Sequence, residues 1–376
     1  MVASPTGHVL ISPDKFKGSL SASEAAARLA AGLARHRPGV PLVMLPVADG
    51  GDGTVEAAVA AGFTRRSARV AGPTGEPVEA GYAVRGDTAV VELAEAAGLH
   101  LLPEGRLRPL GASSLGAGQL LLAAARGGAR RIVLGLGGSA CTDGGAGLVQ
   151  ALGARLLDAG GNRLPPGGAA LRRLHALDLR GFNDLGGLEV VVTTDGDDPL
   201  LGREGAAAVY GPQKGADREG VKTLEAGLRR WADLAEAAVR RPARDRPGAG
   251  AAGGVGFAAL AFLGARVEPG IAYLLDLLGF TEKLAGARLV ITGEGSLDAQ
   301  TLRGKAPVGV ARAAARAGVP VVAVCGRRAL TGEQLRRARI SAAYPLTDLE
   351  PDVERCISAA GPLLERLTFA IAEEWL

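Results

Sequence analysis

Short apolar runs alternate with amphipathic stretches along most of this chain, and nearly every run ends in a polar, glycine-rich loop. Val9-Leu10-Ile11 reads as a buried strand running into Ser12-Pro13-Asp14-Lys15-Phe16-Lys17-Gly18. A helix follows from a capping box, Ser21 with Glu24 three residues on, and its apolar positions recur at helical spacing through Leu33. Residues 40–47 form a second strand pattern, ending in Ala48-Asp49-Gly50-Gly51-Asp52-Gly53 before a helix over 54–61. A β-loop-α-β-loop-α order predicts a parallel sheet whose ligands lie outside the carboxyl ends of its strands.

The rhythm then changes. Residues 65–70, 78–84 and 89–91 read as short strands separated by turn signals, with no room for crossover helices, so antiparallel or mixed pairing is expected. A helix beginning at Ser113 or Ser114 and ending at Arg126 leads to the run Ile132-Val133-Leu134 and the loop that follows it, GLGGSACTDGGAG (135–147). Another strand, 188–192, exits into Thr194-Asp195-Gly196-Asp197-Asp198, and a long amphipathic helix covers about 217–241. Residues 242–256 are rich in Pro, Gly, Ala and Arg and read either as a linker or as an ordered Gly-Ala turn. Beyond them the α/β rhythm returns. A strand at 289–291 exits into Thr292-Gly293-Glu294-Gly295-Ser296-Leu297-Asp298, a helix covers 308–317, and 319–324 is a strand. The expected organisation is an α/β protein of two domains. One domain comes from both chain ends, residues 1–70 and 287–376; the other, 71–286, is inserted and carries a mixed sheet.

Five strand exits carry polar clusters: Asp14/Lys15/Lys17, Asp49/Asp52, Ser139/Thr142/Asp143, Asp195/Asp197/Asp198 and Glu294/Ser296/Asp298. Each alone could be a helix cap. Capping needs one residue, not three, and has no use for lysines, so the set points to ligand binding. The loop at 135–147 also reads as an anion site, since a glycine turn ahead of a helix points backbone N–H groups and the helix dipole at one spot.

Composition narrows the chemistry. The net charge of +4 is small and scattered without interleaved aromatics, which argues against nucleic acid. Three cysteines at 141, 325 and 356 show neither metal spacing nor a disulfide framework, and suit a reducing compartment. No apolar run reaches the ~18–20 residues of a membrane span, and residues 1–6 lack the layout of a signal peptide. A cytoplasmic protein, off the membrane, is expected. Only six of 43 basic residues are lysines, yet Lys15, Lys17, Lys214 and Lys305 sit in loops beside glycines. A compact ammonium kept where arginine is the default suits a phosphate.

Backbone donors, cations and carboxylates together suit phosphoryl transfer with magnesium, although no P-loop or protein-kinase signature is present. A rival reading takes 135–140 (Gly-Leu-Gly-Gly-Ser-Ala) as a dinucleotide fingerprint with Asp158 as the ribose carboxylate, implying an NAD-linked hydroxy-acid oxidoreductase. It fits poorly, because the loop continues past Ala140 instead of opening into a helix. A third reading is a non-catalytic binder of acidic sugar ligands.

Six stretches carry a resemblance: SPDKFKGSLSA (12–22), PVADGGDGT (46–54), GLGGSACTDGGAG (135–147), DPLLGREGAAAVYGPQKGA (198–216), GAGAAGGVGFAAL (248–260) and TGEGSLDAQTLRGKAPVGVA (292–311). With them the chain resembles the bacterial glycerate kinases of the two-domain type across nearly its whole length. The resemblance implies a flavodoxin-like domain built from both chain ends, with an inserted α/β domain and a cleft between them. It also implies ATP-dependent phosphorylation of D-glycerate, giving 2-phosphoglycerate with 3-phosphoglycerate as the alternative product. One departure stands ahead of DPLLG, where Gly196 interrupts the family's usual Cys-Asp-Val-Asx run while Asp195 keeps its carboxylate.

Residue roles follow as expectations. Asp195, with Asp298 second, is the base, and Lys15 joins them in catalysis. Lys17, Gly137, Gly138, Ser139, Thr142, Gly144, Gly145 and Lys214 hold phosphate or nucleotide. Asp49, Asp52, Glu294, Ser296 and Lys305 hold the substrate, and Asp143 with Asp195 holds magnesium. The expected partners are ATP, Mg²⁺ and D-glycerate, with monomer and homodimer both open.

Overall fold

A computed structural model of the chain describes residues 7–103 and 106–376; the N-terminal residues 1–6 lie outside them. The strands are β1 (His8–Pro13), β2 (Leu42–Met44), β3 (Thr64–Ala71), β4 (Pro77–Arg85), β5 (Thr88–Glu92), β6 (Arg131–Gly135), β7 (Arg155–Leu157), β8 (Ala176–Asp178), β9 (Glu189–Thr193), β10 (Arg266–Glu268), β11 (Ala287–Leu297), β12 (Val321–Arg328) and β13 (Ala342–Pro345). They divide between two compact units. The first holds residues up to 49, 56–62 and 270–376; the second holds 50–55 and 63–269.

The first unit is built on a five-stranded, all-parallel sheet of order β13-β12-β11-β1-β2. Counted within the unit, that is the order 2-1-3-4-5 of flavodoxin-like sheets, with a topological switch point between β1 and β11. Strands buried on both faces need continuous apolar runs, and Val9, Leu10 and Ile11 with Leu289, Val290 and Ile291 supply them. The helix Ala22–His36 opens with the expected capping box: Glu24 N–H bonds the Ser21 hydroxyl oxygen at 3.2 Å, and Ser21 N–H bonds the Glu24 carboxylate at 2.9 Å. It buries Ala25, Leu29 and Leu33 in the same core as Leu363, Leu364, Leu367 and Ile371 of the C-terminal helix Ala360–Trp375.

The second unit holds a six-stranded mixed sheet of order β10-β9-β6-β5-β4-β3, antiparallel across β3-β4-β5 and parallel from β5 to β10, plus the β7-β8 pair. Its core gathers Leu120, Leu121, Leu134, Leu228, Trp231 and Phe257.

The chain changes unit at other places than the pattern suggested. The strand at 64–71 pairs with β4, so it lies in the second unit, and the helices Gly270–Leu277 and Phe280–Leu284 lie in the first. Where an edge strand goes is decided by its partner, and 65–70 carries no mark of that partner. Residues 242–256 are ordered. They run into the helix Ala251–Phe262, whose backbone kinks at Ala252, Gly253 and Gly254, and all but Ala252 of residues 248–262 are buried.

Candidate functional site

At the carboxyl ends of β1, β11 and β12 the first unit opens a cavity of about 300 Å³. Its charged lining is Asp14, Lys15, Lys17, Asp49, Glu294, Lys305 and Arg327. Asp14, Lys15 and Lys17 follow β1, Asp49 lies in the loop after β2, Glu294 and Arg327 lie in the C-terminal parts of β11 and β12, and Lys305 caps the helix Ala306–Arg316. Parallel pairing sets them side by side, with Pro13 opposite Gly293 and Glu294 opposite Cys325. Close approach of the sheet here relies on Gly293, where a Cβ would lie 2.4 Å from the Val324 carbonyl.

Two of the carboxylates are nearly buried, Asp14 and Glu294. Burial first, then the neighbouring charge of Asp49, pushes the Asp14 carboxyl up to about 8, although Lys15 N–H donates to it at 2.7 Å. Burial also raises Glu294, opposed by the Thr301 hydroxyl donating at 2.5 Å and by Lys305, whose ammonium stands 3.6 Å away. Ser296 donates to Asp298 at 3.2 Å and accepts from Arg327 at 3.1 Å. Asp298 also accepts from Gln300 N–H at 2.8 Å, so its carboxylate closes the turn after β11, and it does not line the cavity. A turn-closing carboxylate is a weaker base than the sequence position of Asp298 implied.

The loop at 135–147 is built quite differently. Only Gly137 and Gly138 of its residues are part-exposed; 139–147 are buried. Both exposed glycines exist for close packing against residues 50–53. A Cβ at Gly137 would lie 2.2 Å from Gly51 Cα, and one at Gly138 1.6 Å from Asp52 Oδ1. Gly144 N–H donates to the Gly253 carbonyl at 2.9 Å, and a Cβ at Gly145 would meet Ala258 at 2.3 Å. Both glycines, expected to hold phosphate, pack against the protein's own backbone and side chains.

The anion that the loop's helix start calls for is supplied by the chain itself. Asp143, 1% exposed, accepts from the backbone N–H groups of Ser114 (2.8 Å), Gly145 (3.1 Å) and Gly147 (3.2 Å) and from the Ser114 hydroxyl (2.9 Å). It thereby joins the starts of the helices Leu115–Arg126 and Ala146–Ala151. The Ser113 hydroxyl adds a fifth donor at 3.4 Å, so this buried carboxylate, expected to hold magnesium, is engaged by the protein's own helix starts. Lys214 is 2% exposed, and its ammonium donates to the Ser139 hydroxyl oxygen at 2.8 Å and to the Cys141 carbonyl at 2.5 Å. Burial pulls that ammonium down to about 8. Lys214 therefore supports the loop from inside instead of meeting a phosphate. Thr142 is fully buried, and its hydroxyl oxygen has no hydrogen-bond partner among the described residues.

Glu92, which the sequence pattern did not single out, is 4% exposed at the end of β5 and accepts from Gly53 N–H and Val55 N–H, each at 3.1 Å. Burial pushes its carboxyl up to about 7. It anchors the loop that bears Asp52. The signal was available, a carboxylate at a strand exit, but no glycine run marked it. Asp195 is exposed beyond β9, while Asp198 accepts from the Tyr210 hydroxyl and is structural. The dinucleotide alternative finds no footing. The helix after 135–140 starts at Ala146, and Asp158 closes its own turn through Gly160 N–H and Asn162 N–H, both at 2.9 Å.

No helix among the described residues is long and apolar enough to cross a membrane. Nor do they contain a group of three or more His, Cys, Asp or Glu side chains arranged to hold a metal ion.

Comparison with known proteins agrees with this architecture. The model of the glycerate kinase family matches residues 9–376. A glycerate kinase of Bacillus subtilis (strain 168) is 43% identical over 368 residues, covering 97% of this chain and 96% of that protein. A glycerate 2-kinase of Escherichia coli (strain K12) is 44% identical over 322 residues, covering 85% of this chain and 84% of that protein. A crystal structure of a Salmonella typhimurium LT2 protein provisionally named glycerate kinase 2 superposes with a TM-score of 0.82 at 40% identity, covering 98% of both chains.

Proposed function

The chain belongs to the glycerate kinase family and is a kinase, and from that premise we propose that it transfers the terminal phosphoryl group of Mg-ATP to the 2-hydroxyl of D-glycerate. The products are 2-phosphoglycerate, ADP and the proton released by the hydroxyl. The observation that carries this reading is the convergence of Lys15, Lys17, Lys305 and Arg327 with Asp14, Asp49 and Glu294 on one cavity at the switch point of a flavodoxin-like sheet. The choice of the 2-hydroxyl follows the E. coli relative named glycerate 2-kinase.

Phosphoryl transfer passes through a loose transition state, so alignment and charge neutralisation matter more than the strength of the base. Lys15 and Lys17 neutralise phosphate oxygens as point charges, and Lys305 and Arg327 add to the same field. Asp195, exposed beyond β9, takes the hydroxyl proton. A phosphate-borne magnesium needs only one or two protein carboxylates, and the residues present fit that demand. Asp49, on the cavity wall, would hold it, and the ion would offset the negative charge of the phosphates.

Purified protein given ATP, Mg²⁺ and D-glycerate should release ADP, and NMR of the product should show phosphate on carbon 2. No glycerate-dependent ADP would sink the reaction. Phosphate on carbon 3 would overturn the regiochemistry alone.

A further inference from the structure

Beside its charged groups, the first unit's cavity has an apolar wall made by Phe16, Leu346, Val353, Cys356, Ile357 and Ala360. Val353 and Ile357 are 50% and 45% exposed, unusual for large apolar side chains at the mouth of a cavity lined otherwise by ions. The wall is held in place: the Ser19 hydroxyl donates to the Ile357 carbonyl at 2.8 Å, which ties the turn after Lys17 to the helix Val353–Ser358.

Glycerate has three carbons, each bearing oxygen, and a single negative charge. It has no surface to lay against six apolar residues and no need of four cations. A nucleotide needs both, a flat base wanting an apolar slot and a polyphosphate wanting several positive charges. We infer that this cavity is the nucleotide subsite, with the base against Val353 and Ile357 and the phosphates toward Lys15, Lys17, Lys305 and Arg327. The assignment rests on the kinase reading above and departs from the expectation that Asp49, Asp52, Glu294, Ser296 and Lys305 hold the substrate while the loop at 135–147 holds phosphate or nucleotide. That loop is buried beyond Gly138 and offers no slot for a base.

The test is calorimetric binding of ADP and of inorganic tripolyphosphate, each without glycerate, alongside steady-state kinetics of Ile357→Glu. The substitution should weaken ADP binding about tenfold or more, the scale of losing one apolar contact surface. It should leave tripolyphosphate binding within about twofold of a Leu349→Glu control, which alters an exposed apolar residue outside the cavity lining. The KM for ATP should rise with the KM for D-glycerate within about twofold. A raised KM for D-glycerate with ATP unaffected, or ADP binding unchanged, overturns the assignment. Ile357→Ser, a truncation without added charge, must move ADP binding in the same direction, which covers the case in which the glutamate variant fails to fold. Binding of ADP here by a protein inactive on glycerate would retain this subsite and discard only the substrate. Glycerate kinase activity with normal ADP binding in Ile357→Glu would do the reverse.

Discussion

At the end of β1, Asp14 and Lys15 face a cavity shared with Asp49, Glu294 and Lys305; in the loop after β6, Asp143 and Lys214 face the protein's own backbone and hydroxyl groups. The two loops read alike, a short apolar strand running into glycine, carboxylate and an amphipathic helix, with a lysine in each set. They differ in what their charged groups face once the loop has folded. The loop at 135–147 satisfies its helix start internally, with Asp143 as the anion. In the loop at 14–17 the Asp14 carboxylate accepts from Lys15 N–H, and Lys15 and Lys17 line the cavity wall. A glycine-rich loop ahead of a helix is thus a binding site only when the chain does not fill it first.

The sharpest way to break this contrast is Asp143→Ala. Three buried N–H donors would lose their acceptor at roughly 1–3 kcal/mol each, so a loss on the order of 4 kcal/mol or more is expected in urea unfolding. A loss under ~1 kcal/mol would mean that the carboxylate is not structural. Lys15→Ala makes the opposite case: stability close to wild type, with kcat/KM down about 100-fold, the scale of one lost electrostatic contact to a transferring group. Lys222→Ala is the reference, since Lys222 lies on the exposed face of the helix Arg218–Val239 and should change little. Equal effects of the two in steady-state assays would remove Lys15 from the phosphate site.

Glu92 tests the buried side through pH. Its folded-state value of about 7 lies above its ordinary 4.5, so the folded chain binds the extra proton between those values. The stability it contributes is complete below pH ~4.5 and is lost as pH rises through ~7. Glu92→Gln should therefore flatten the fall in stability between pH 5 and pH 8 by about 1–2 kcal/mol in denaturant titrations. An unchanged slope would show that the carboxyl is ionised throughout. The smallest effect is expected from Thr142→Val. It removes a buried hydroxyl that lacks a partner among the described residues, so stability should hold or rise by up to ~1 kcal/mol, with kcat/KM within about twofold. A hundredfold loss of activity would restore Thr142 to a ligand site.

Much of this was legible in the residues themselves. Apolar runs placed β1, β6, β9 and β11, and the Ser21/Glu24 pair marked a helix start that the structure reproduces bond for bond. The carboxylates and lysines at 14, 15, 17, 49, 294 and 305 stand out in the sequence in loops beside glycines, and they meet in one cavity. The apolar wall was not legible, because Val353 and Ile357 sit on a six-residue helix too short to declare a period.

Local sequence determined the elements, their α/β class and the polar strand exits, since periodicity, capping and turn chemistry act over a few residues. Which exits stayed open was decided by tertiary structure. Asp143 is answered by Ser114, 29 residues earlier, and Lys214 reaches Ser139 across 75. Glu92 meets Gly53 across 39, and Gly138 is a glycine because Asp52 packs against it. Each of these pairings joins groups that no local pattern links, and each settles whether a charge is left over for a ligand.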